Sequence, residues 1–240
     1  MISEKTLIKY YSSFWDQLLP GVDHYVRMIN SRLKERIFPP ITVEDIPVRR
    51  AFINSIAYNL FYKYQKGSIT ENEIASLNSI SSIITEVKEE SLKKVSSLSN
   101  SNTFHSNLTN NEIEIVSILV NRLCDFLKSK TSIEIYPIFQ GCGLLFDCYA
   151  DLKYDKTLVE IKAGESNFSK FDIYQLITYG SLNYASGSTL DLYNYQLLNI
   201  RTGVSWVENI ETVCEIIAGC SSVELYAEII NFISNNYRSI

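Results

Sequence analysis

Residues Asp151 to Lys162 read Asp-Leu-Lys-Tyr-Asp-Lys-Thr-Leu-Val-Glu-Ile-Lys. An apolar segment ends at Asp151, a short polar turn follows, and two charges then fall inside an apolar run. Because side chains alternate between the two faces of a strand, Glu160 and Lys162 point to the same face. A hairpin turn at residues 154–156 would fold Asp151 back beside them. The sequence therefore predicts two carboxylates and an ammonium on one face of a hairpin, and carboxylates are ligands that hard divalent cations prefer.

The apolar patterns around this hairpin predict the order helix, strand, strand, strand, helix, strand. The predicted helices cover 110–130, 169–183, 211–217 and 222–235, and the predicted strands cover 133–139, 144–154, 157–163, 189–199 and 204–207. A tight turn joins the last two strands, and Gly203 fits this turn because glycine readily adopts a positive φ. In the helix at 169–183, Gln175 and Tyr179 lie one turn apart and so share a face.

The hairpin resembles the signature of the PD-(D/E)XK nuclease superfamily, whose members have the restriction-endonuclease-like fold. That signature is an acid, a variable gap and Glu-x-Lys, which here is Asp151, eight residues, then Glu160-Ile161-Lys162. Ala150 stands where the named motif has Pro. The resemblance implies an α/β fold with a mixed four- to five-stranded sheet flanked by helices.

A second motif lies on the following helix. The segment Gln175-Leu-Ile-Thr-Tyr179 is similar to the Gln-x-x-x-Tyr motif of the RecB-type branch of that superfamily. In that branch the helix face points at the metal site, which implies that Gln175 and Tyr179 support contacts with DNA. The two motifs and the predicted elements around them cover roughly residues 110–205.

The resemblance also implies a catalytic cation, Mg²⁺ or Mn²⁺. Asp151 and Glu160 would supply carboxylates, and the backbone carbonyl of Ile161 is the usual family contribution between them and the lysine. Lys162 would orient the attacking water or offset charge in the transition state. Such a cation polarises the phosphate and lowers the pKa of a bound water.

One further acidic ligand is expected at such a site. Asp147 is a candidate because it precedes Asp151 by four residues on the same predicted strand, although it would serve equally as a charge partner of Lys162. Many family members instead take an acid from the helix before the first strand. Of the acids there, which are Glu112, Glu114 and Asp125, Glu114 is preferred.

Composition and charge limit the remaining possibilities. The 240 residues are 46% hydrophobic and 20% charged, no apolar run is long enough to span a membrane, and the amino terminus lacks an apolar signal core, so we expect a cytoplasmic protein. Residues 1–100 carry 13 Lys and Arg against 11 Asp and Glu, whereas residues 101–240 carry 9 against 16. A phosphate-binding surface is therefore expected in the N-terminal part, where eight basic and three acidic residues fall between Arg27 and Lys66.

Two domains are predicted. Residues 1–105 form an N-terminal helical region, with helices over 4–36, 48–66 and 70–95, which would contact a partner subunit, a second copy or DNA. Residues 106–240 form the nuclease core. The Ser/Asn/Thr-rich stretch 96–111 is the predicted boundary.

The resulting function hypothesis is a metal-dependent deoxyribonuclease, which the resemblance associates with restriction, phage defence, recombination or repair. Small nucleases of this type often work inside multi-protein systems, and no helicase or ATPase motif is present, so any motor would be another chain. One alternative is a catalytically silent module that uses the same fold to bind nucleic acid or to assemble a complex. Another is that the substrate is RNA.

Overall fold

The computed structural model describes residues 1–70, 87, 91 and 107–236. The α-helices of these ranges are α1 (Glu4–Tyr10), α2 (Ser12–Leu18), α3 (Val22–Met28), α4 (Arg50–Gln65), α5 (Asn110–Leu127), α6 (Lys170–Ala185), α7 (Ile210–Ala218) and α8 (Ser222–Asn236). A π-helical turn, Ile29–Leu33, follows α3, and a 3-10 turn, Pro47–Arg49, precedes α4. Most of the predicted helix at 70–95 and of the predicted boundary lies outside the described residues.

A mixed six-stranded sheet forms the centre of the molecule, which confirms the α/β class but exceeds the predicted four to five strands, because a strand from the N-terminal region joins its edge. Its strands are β1 (Glu35–Arg36), β2 (Glu134–Ile135), β5 (Leu152–Tyr154), β6 (Thr157–Lys162), β7 (Asn194–Asn199) and β8 (Val204–Asn209). They lie in the order β1-β8-β7-β6-β5-β2, with β6 parallel to β7 and the other neighbouring pairs antiparallel. A separate ribbon pairs β3 (Ile138–Phe139) with β4 (Cys148–Tyr149).

Helices cover both faces of the sheet because β6 is apolar on both faces near its start. Leu158 packs into a cluster shared with α1, α2, α3, α6, α7 and α8, whereas Val159 packs on the other face with α4 and α5. Both side chains are fully buried, which stabilises the fold by about 1.5–3 kcal/mol for each. Further along β6, Glu160 and Lys162 occupy the same face as Leu158, so charge replaces apolar packing where the strand ends.

Three of the predicted strands are wrong in extent, and the one predicted at 189–199 begins only at Asn194. The predicted strand at 133–139 is split at Tyr136, whose φ of 56° turns the chain from β2 into β3. The predicted strand at 144–154 is split by a bend at Asp151, so that only β5 remains in the main sheet. The chain leaves the main sheet after β2 to form β3, and it returns to the main sheet at β5 after forming β4. The strands β3 and β4 pair with each other.

The N-terminal region contributes directly to this architecture. β1 forms the edge of the main sheet by pairing with β8, and residues of α1, α2 and α3 share an apolar cluster with residues 139–233. The predicted helical stretch 4–36 consists of several short helices but ends in strand β1, and its predicted break at Pro20 and Gly21 is confirmed between α2 and α3. Gly21 is required there because a Cβ would lie 2.5 Å from the carbonyl oxygen of Ile216.

The turn between β7 and β8 agrees with the prediction, because Gly203 has a φ of 74°. At the end of the chain, α7 and α8 pack inward through residues of the same apolar cluster. Among the described residues, no single helix has both the length and the apolar composition to cross a bilayer. Helices α7 and α8 meet these two criteria only when taken together, and that pair is bent by 67°.

Candidate functional site

Asp151 lies where strand β5 begins and faces the neighbouring strand β6. The register pairs Leu152 with Val159, which places Asp151 opposite Glu160. Oδ2 of Asp151 accepts a hydrogen bond of 2.7 Å from the backbone N–H of Ile161. Because the chain bends away from β6 at Asp151, this carboxylate takes the place of the carbonyl that a continued strand would offer. The bend therefore fixes the first acid of the motif beside the second.

The backbone of Asp151 is held as firmly as its side chain. Its carbonyl accepts a hydrogen bond of 2.5 Å from Oη of Tyr58 on α4 and another of 3.2 Å from the N–H of Tyr136. Burial, reinforced by the charge of Asp151, raises the pKa of the Tyr58 hydroxyl, so this donor remains protonated. The N-terminal helix α4 thus forms part of the support for the site.

Lys162 makes three polar contacts from one ammonium group. Its Nζ lies 3.0 Å from Oε1 of Glu160, 2.8 Å from Oδ1 of Asp172 and 2.9 Å from Oε1 of Gln175. An ammonium has three N–H donors, and these three acceptors match them. The motif lysine is therefore fixed between the strand β6 and the helix α6.

Asp172 belongs to this contact set, although it was not among the predicted site residues. Its Oδ2 accepts hydrogen bonds from the N–H of Ser169 at 2.7 Å and from the Ser169 hydroxyl at 3.0 Å, while its Oδ1 contacts Lys162. Ser169-x-x-Asp172 is a capping-box spacing, so the sequence contains a signal for the start of α6 at this point. Nothing in that signal indicates that the capping carboxylate also reaches Lys162.

Gln175 and Tyr179 extend the contacts from Lys162 to the ribbon. Nε2 of Gln175 lies 3.4 Å from Oη of Tyr179, which in turn donates to the carbonyl of Tyr149 at 3.3 Å. The Tyr179 ring stacks on Phe139 of β3 with ring centroids 5.3 Å apart. The predicted pair thus faces the site, and the structure brings Asp151, Glu160, Lys162, Gln175 and Tyr179 into one chain of contacts.

The two motif carboxylates are held in surroundings that oppose their ionisation. Burial, together with the charge of Asp151, raises the pKa of Glu160 from 4.5 to about 8. Burial also raises the pKa of Asp151, against the opposing effects of the Ile161 N–H and the charges of Lys162 and Lys5. Burial alone would lower the pKa of Lys162, but Glu160 and Asp172 outweigh it and raise that pKa. Three carboxylates thus surround one ammonium, leaving an excess of negative charge.

Helix α1 adds charges that the sequence analysis did not connect with the site. Lys5 lowers the pKa of Asp151, although burial dominates. Burial raises the pKa of Tyr179 most strongly, followed by the charges of Glu160 and Glu4. α1 packs against α6, which explains how these two residues come near the motifs. No sequence spacing could have indicated them, because they lie about 150 residues upstream.

The structure places the two additional ligand candidates outside this set of contacts. Asp147 is exposed and its Oδ1 accepts a 2.8 Å hydrogen bond from the N–H of Gly141, while Glu114 is exposed on α5. Asp147 and Asp151 do not share one strand, because the predicted strand is broken. Within residues 1–70 and 107–236, no group of three or more His, Cys, Asp or Glu side chains is arranged to hold a metal ion. The side-chain oxygens that contact Lys162 are those of Glu160, Asp172 and Gln175, and the Asp151 carboxylate lies beside Glu160.

No protein-family model matches this sequence, and no curated protein matches it either. The chemistry of the site is therefore inferred from its own atoms. The site contains two carboxylates with raised pKa values and an ammonium with three polar contacts. Helix α6 links this ammonium to the ribbon of β3 and β4.

Proposed function

We propose that this protein is a Mg²⁺- or Mn²⁺-dependent deoxyribonuclease with a restriction-endonuclease-like core. The observation that carries the proposal is the convergence of Asp151, Glu160 and Lys162 at the end of β6, where the buried Glu160 lies beside the half-buried Asp151. Strongly perturbed carboxylates next to a cationic side chain are typical of catalytic sites.

The order of elements around the site supports the proposed fold family. β5 and β6 form an antiparallel hairpin, α6 follows, and β7 returns parallel to β6. This arrangement puts the hairpin acids and the face of α6 that carries Gln175 on the same side of the sheet. It is the arrangement that the resemblance of the two motifs predicts.

The donor set fits a hard divalent cation. Asp151, Glu160 and the backbone carbonyl of Ile161 would hold it, because Mg²⁺ and Mn²⁺ prefer oxygen ligands. Such an ion would offset the negative charge of the site, and it would favour the ionised form of Glu160, whose pKa is raised by burial and by the charge of Asp151. When bound, the ion supplies polarisation of a phosphate and a water of lowered pKa.

Lys162 would act on the substrate from its fixed position. Its ammonium stays protonated because Glu160 and Asp172 outweigh the effect of burial on its pKa. Its positive charge would stabilise the negative charge that develops on a nearby phosphate oxygen during hydrolysis. Asp172 and Gln175 would act as positioning residues, since each accepts one N–H of the ammonium.

Cleavage assays with matched variants test the proposal. Supercoiled, linear and single-stranded DNA and a single-stranded RNA are incubated with Mg²⁺, Mn²⁺ or EDTA. Asp151→Asn, Glu160→Gln and Lys162→Ala are each expected to lose about 10²–10³-fold in rate, the usual cost of removing one electrostatic contact to the transition state.

Asp191→Asn and Lys156→Ala provide the controls, because they remove an exposed ion pair of 2.7 Å at the opposite end of β6. Both controls should cleave like the wild type, since exposed pairs contribute less than about 1 kcal/mol. Cleavage that persists in the three site variants contradicts the proposal. Binding without cleavage by any form supports the silent module, and cleavage restricted to RNA identifies the other substrate.

A further inference from the structure

A polar groove of about 240 Å³ opens beside the site, at the carboxyl end of the parallel strands β6 and β7. In open α/β sheets, ligands bind in the crevice outside the carboxyl ends of such strands. Its polar lining comes from Asn30, Lys34, Arg36, Asn167, Asn199 and Thr202. The loop that follows Lys162 forms one wall, so the groove and the motif lysine share one short segment of chain.

The two cations of the groove have neutral partners. Nζ of Lys34 donates to Oδ1 of Asn167 at 2.8 Å, and Nη1 of Arg36 donates to the carbonyl of Thr202 at 2.9 Å. Within the described ranges, no carboxylate lies within 4 Å of either cation. Glu165, the acid of the neighbouring loop, is paired with Arg50 at 2.7 Å. The groove thus carries two positive charges that no ion pair offsets.

The sheet register aligns this groove with the candidate catalytic lysine. Lys162 pairs with Asn199, Asn199 with Val204, and Val204 with Arg36, so these residues form one row across four strands. Residues paired across a sheet project from the same face. Three strand spacings of about 4.8 Å separate the Cα atoms of Lys162 and Arg36 by about 14 Å.

Lys34 joins this row from the same face. Its backbone is extended, with φ −76° and ψ 140°, so its side chain projects with that of Arg36, two residues on. Glu35, which lies between them, projects from the opposite face. The alternation therefore separates the one acid of this segment from the groove and directs both cations into it.

We propose that Lys34 and Arg36 together bind a backbone phosphate of the nucleic acid strand that lies in the site. This phosphate flanks the phosphate that lies at Lys162. The inference deepens the proposed function and rests on it, because the proposed function places the reacting phosphate at Lys162. Excess negative charge at Asp151 and Glu160 repels a polyanion, and the two cations of the groove offset that repulsion along the same row. The groove thus assigns the path of the strand along the carboxyl ends of β6, β7, β8 and β1.

Binding of a fluorescein-labelled 20-nucleotide DNA, single- or double-stranded, tests the groove in EDTA by anisotropy over 50–300 mM NaCl. The variants are Lys34→Gln, Arg36→Gln and the double variant, with Lys156→Gln as the control at the far end of β6. Circular dichroism and thermal unfolding establish that each variant is folded. We expect the double variant to bind at least tenfold more weakly at 100 mM NaCl, and its slope of log K against log salt to fall by about one. Lys156→Gln should match the wild type in both quantities.

Cleavage under single-turnover conditions at saturating DNA separates the two proposals. The double variant should keep a rate within about threefold of the wild type, because neither side chain contacts the reacting phosphate. If the double variant binds as tightly as Lys156→Gln with an unchanged salt slope, the groove proposal is overturned even though the wild type cleaves. If the wild type cleaves nothing while the double variant shows the predicted loss of binding, the nuclease proposal fails and the groove stands as a nucleic acid site.

Discussion

Two buried charge clusters lie on either side of the β6–α6 loop, and they behave in opposite ways. The site cluster comprises Asp151, Glu160, Lys162 and Asp172, and the arginine cluster comprises Asp45, Arg50 and Arg201. The side chains of Glu160 and Asp45 are similarly buried, at 8% and 3% exposure. Yet the pKa of Glu160 is raised to about 8, whereas the pKa of Asp45 is lowered.

Burial is the largest cause of the raised pKa of Glu160, and the two carboxylates also differ in the cations that oppose this effect. Burial acts to raise the pKa of Asp45, but both oxygens of Asp45 accept from Nε of Arg50 at 2.9 and 3.0 Å, and Arg201 adds a contact of 2.8 Å. Two guanidinium groups therefore contact the Asp45 carboxylate, and Arg50 also pairs with the exposed Glu165. In the site cluster, one ammonium contacts two carboxylates, and a third carboxylate, that of Asp151, lies near enough to feel its charge. The arginine cluster is electrostatically complete in the folded chain, and the site cluster is not.

The arginine cluster also supports the site from outside. Nε of Arg201 donates to the carbonyl of Ala163 at 2.8 Å, and Nδ2 of Asn54 donates to the same oxygen at 3.0 Å. Ala163 is the residue after Lys162, so the end of β6 is held by a fully paired network. The arginine cluster thus stabilises the fold, whereas the site cluster carries the proposed chemistry, and both clusters adjoin the β6–α6 loop.

The largest expected effect comes from exchanging one carboxylate in each cluster. Asp45→Asn should lower the free energy of unfolding by about 3–5 kcal/mol, because it leaves the buried Arg201 without its counter-charge. Asp151→Asn should leave that free energy unchanged or raise it, because the amide oxygen still accepts from Ile161 while the repulsion with Glu160 disappears. Urea unfolding at pH 8 measures both. Equal destabilisation by the two variants would remove the distinction between the clusters.

A smaller loss of stability is expected when the site cluster loses its ammonium. Lys162→Met should lower the free energy of unfolding by about 1–3 kcal/mol at pH 8, because Glu160 and Asp172 lose a charged partner. Since Glu160 can then bind a proton, much of this loss should be recovered at pH 6. Urea unfolding at the two pH values measures the recovery, with Lys156→Met as the surface control. A loss independent of pH would show that packing, and not charge, explains the effect.

The smallest effect is expected at Tyr179. Tyr179→Phe removes a 3.3 Å hydrogen bond to the Tyr149 carbonyl but keeps the ring stacked on Phe139, so the loss of stability should be about 0.5–1.5 kcal/mol. The DNA cleavage rate should fall less than tenfold, and its pH profile should keep its shape, because burial raises the Tyr179 pKa and keeps the hydroxyl protonated. Rates measured from pH 6 to 9 check this. A pH profile that changes in the variant would assign the hydroxyl a role in proton transfer.

The parts of the fold that the sequence predicted are those with strong local signals. Alternation in 157–162 and the spacing of Gln175 and Tyr179 place β6 and α6 within a residue or two of their observed limits. The predicted strands at 133–139 and 144–154 failed because alternation continues through the bends at Tyr136 and Asp151. Pairing of β3 with β4, which ends each long strand, depends on contacts that no local pattern records.

The same limit explains the site. Asp151, Glu160 and Lys162 could be selected because the hairpin that joins them is local in sequence. Asp172, Lys5 and Glu4 could not, since each reaches the site through helix packing. The cations Lys34 and Arg36 were indicated only as part of a basic N-terminal stretch. They align with Lys162 only because β1 pairs at the edge of the sheet. A two-residue strand is too short to be predicted from the sequence pattern.

The central claim is that the site cluster lacks a positive charge, and calorimetric titration of Mn²⁺ between pH 6 and 9 tests it most directly. Because the pKa of Glu160 is raised from 4.5 to about 8, the metal-free fold loses stability as pH rises towards 8, and an incoming cation must displace a proton below that pH. We predict that affinity rises about tenfold per pH unit from 6 to 8 and then levels off, with Asp151→Asn binding weakly throughout. Affinity that does not change with pH, or binding that survives in Asp151→Asn, would contradict the account.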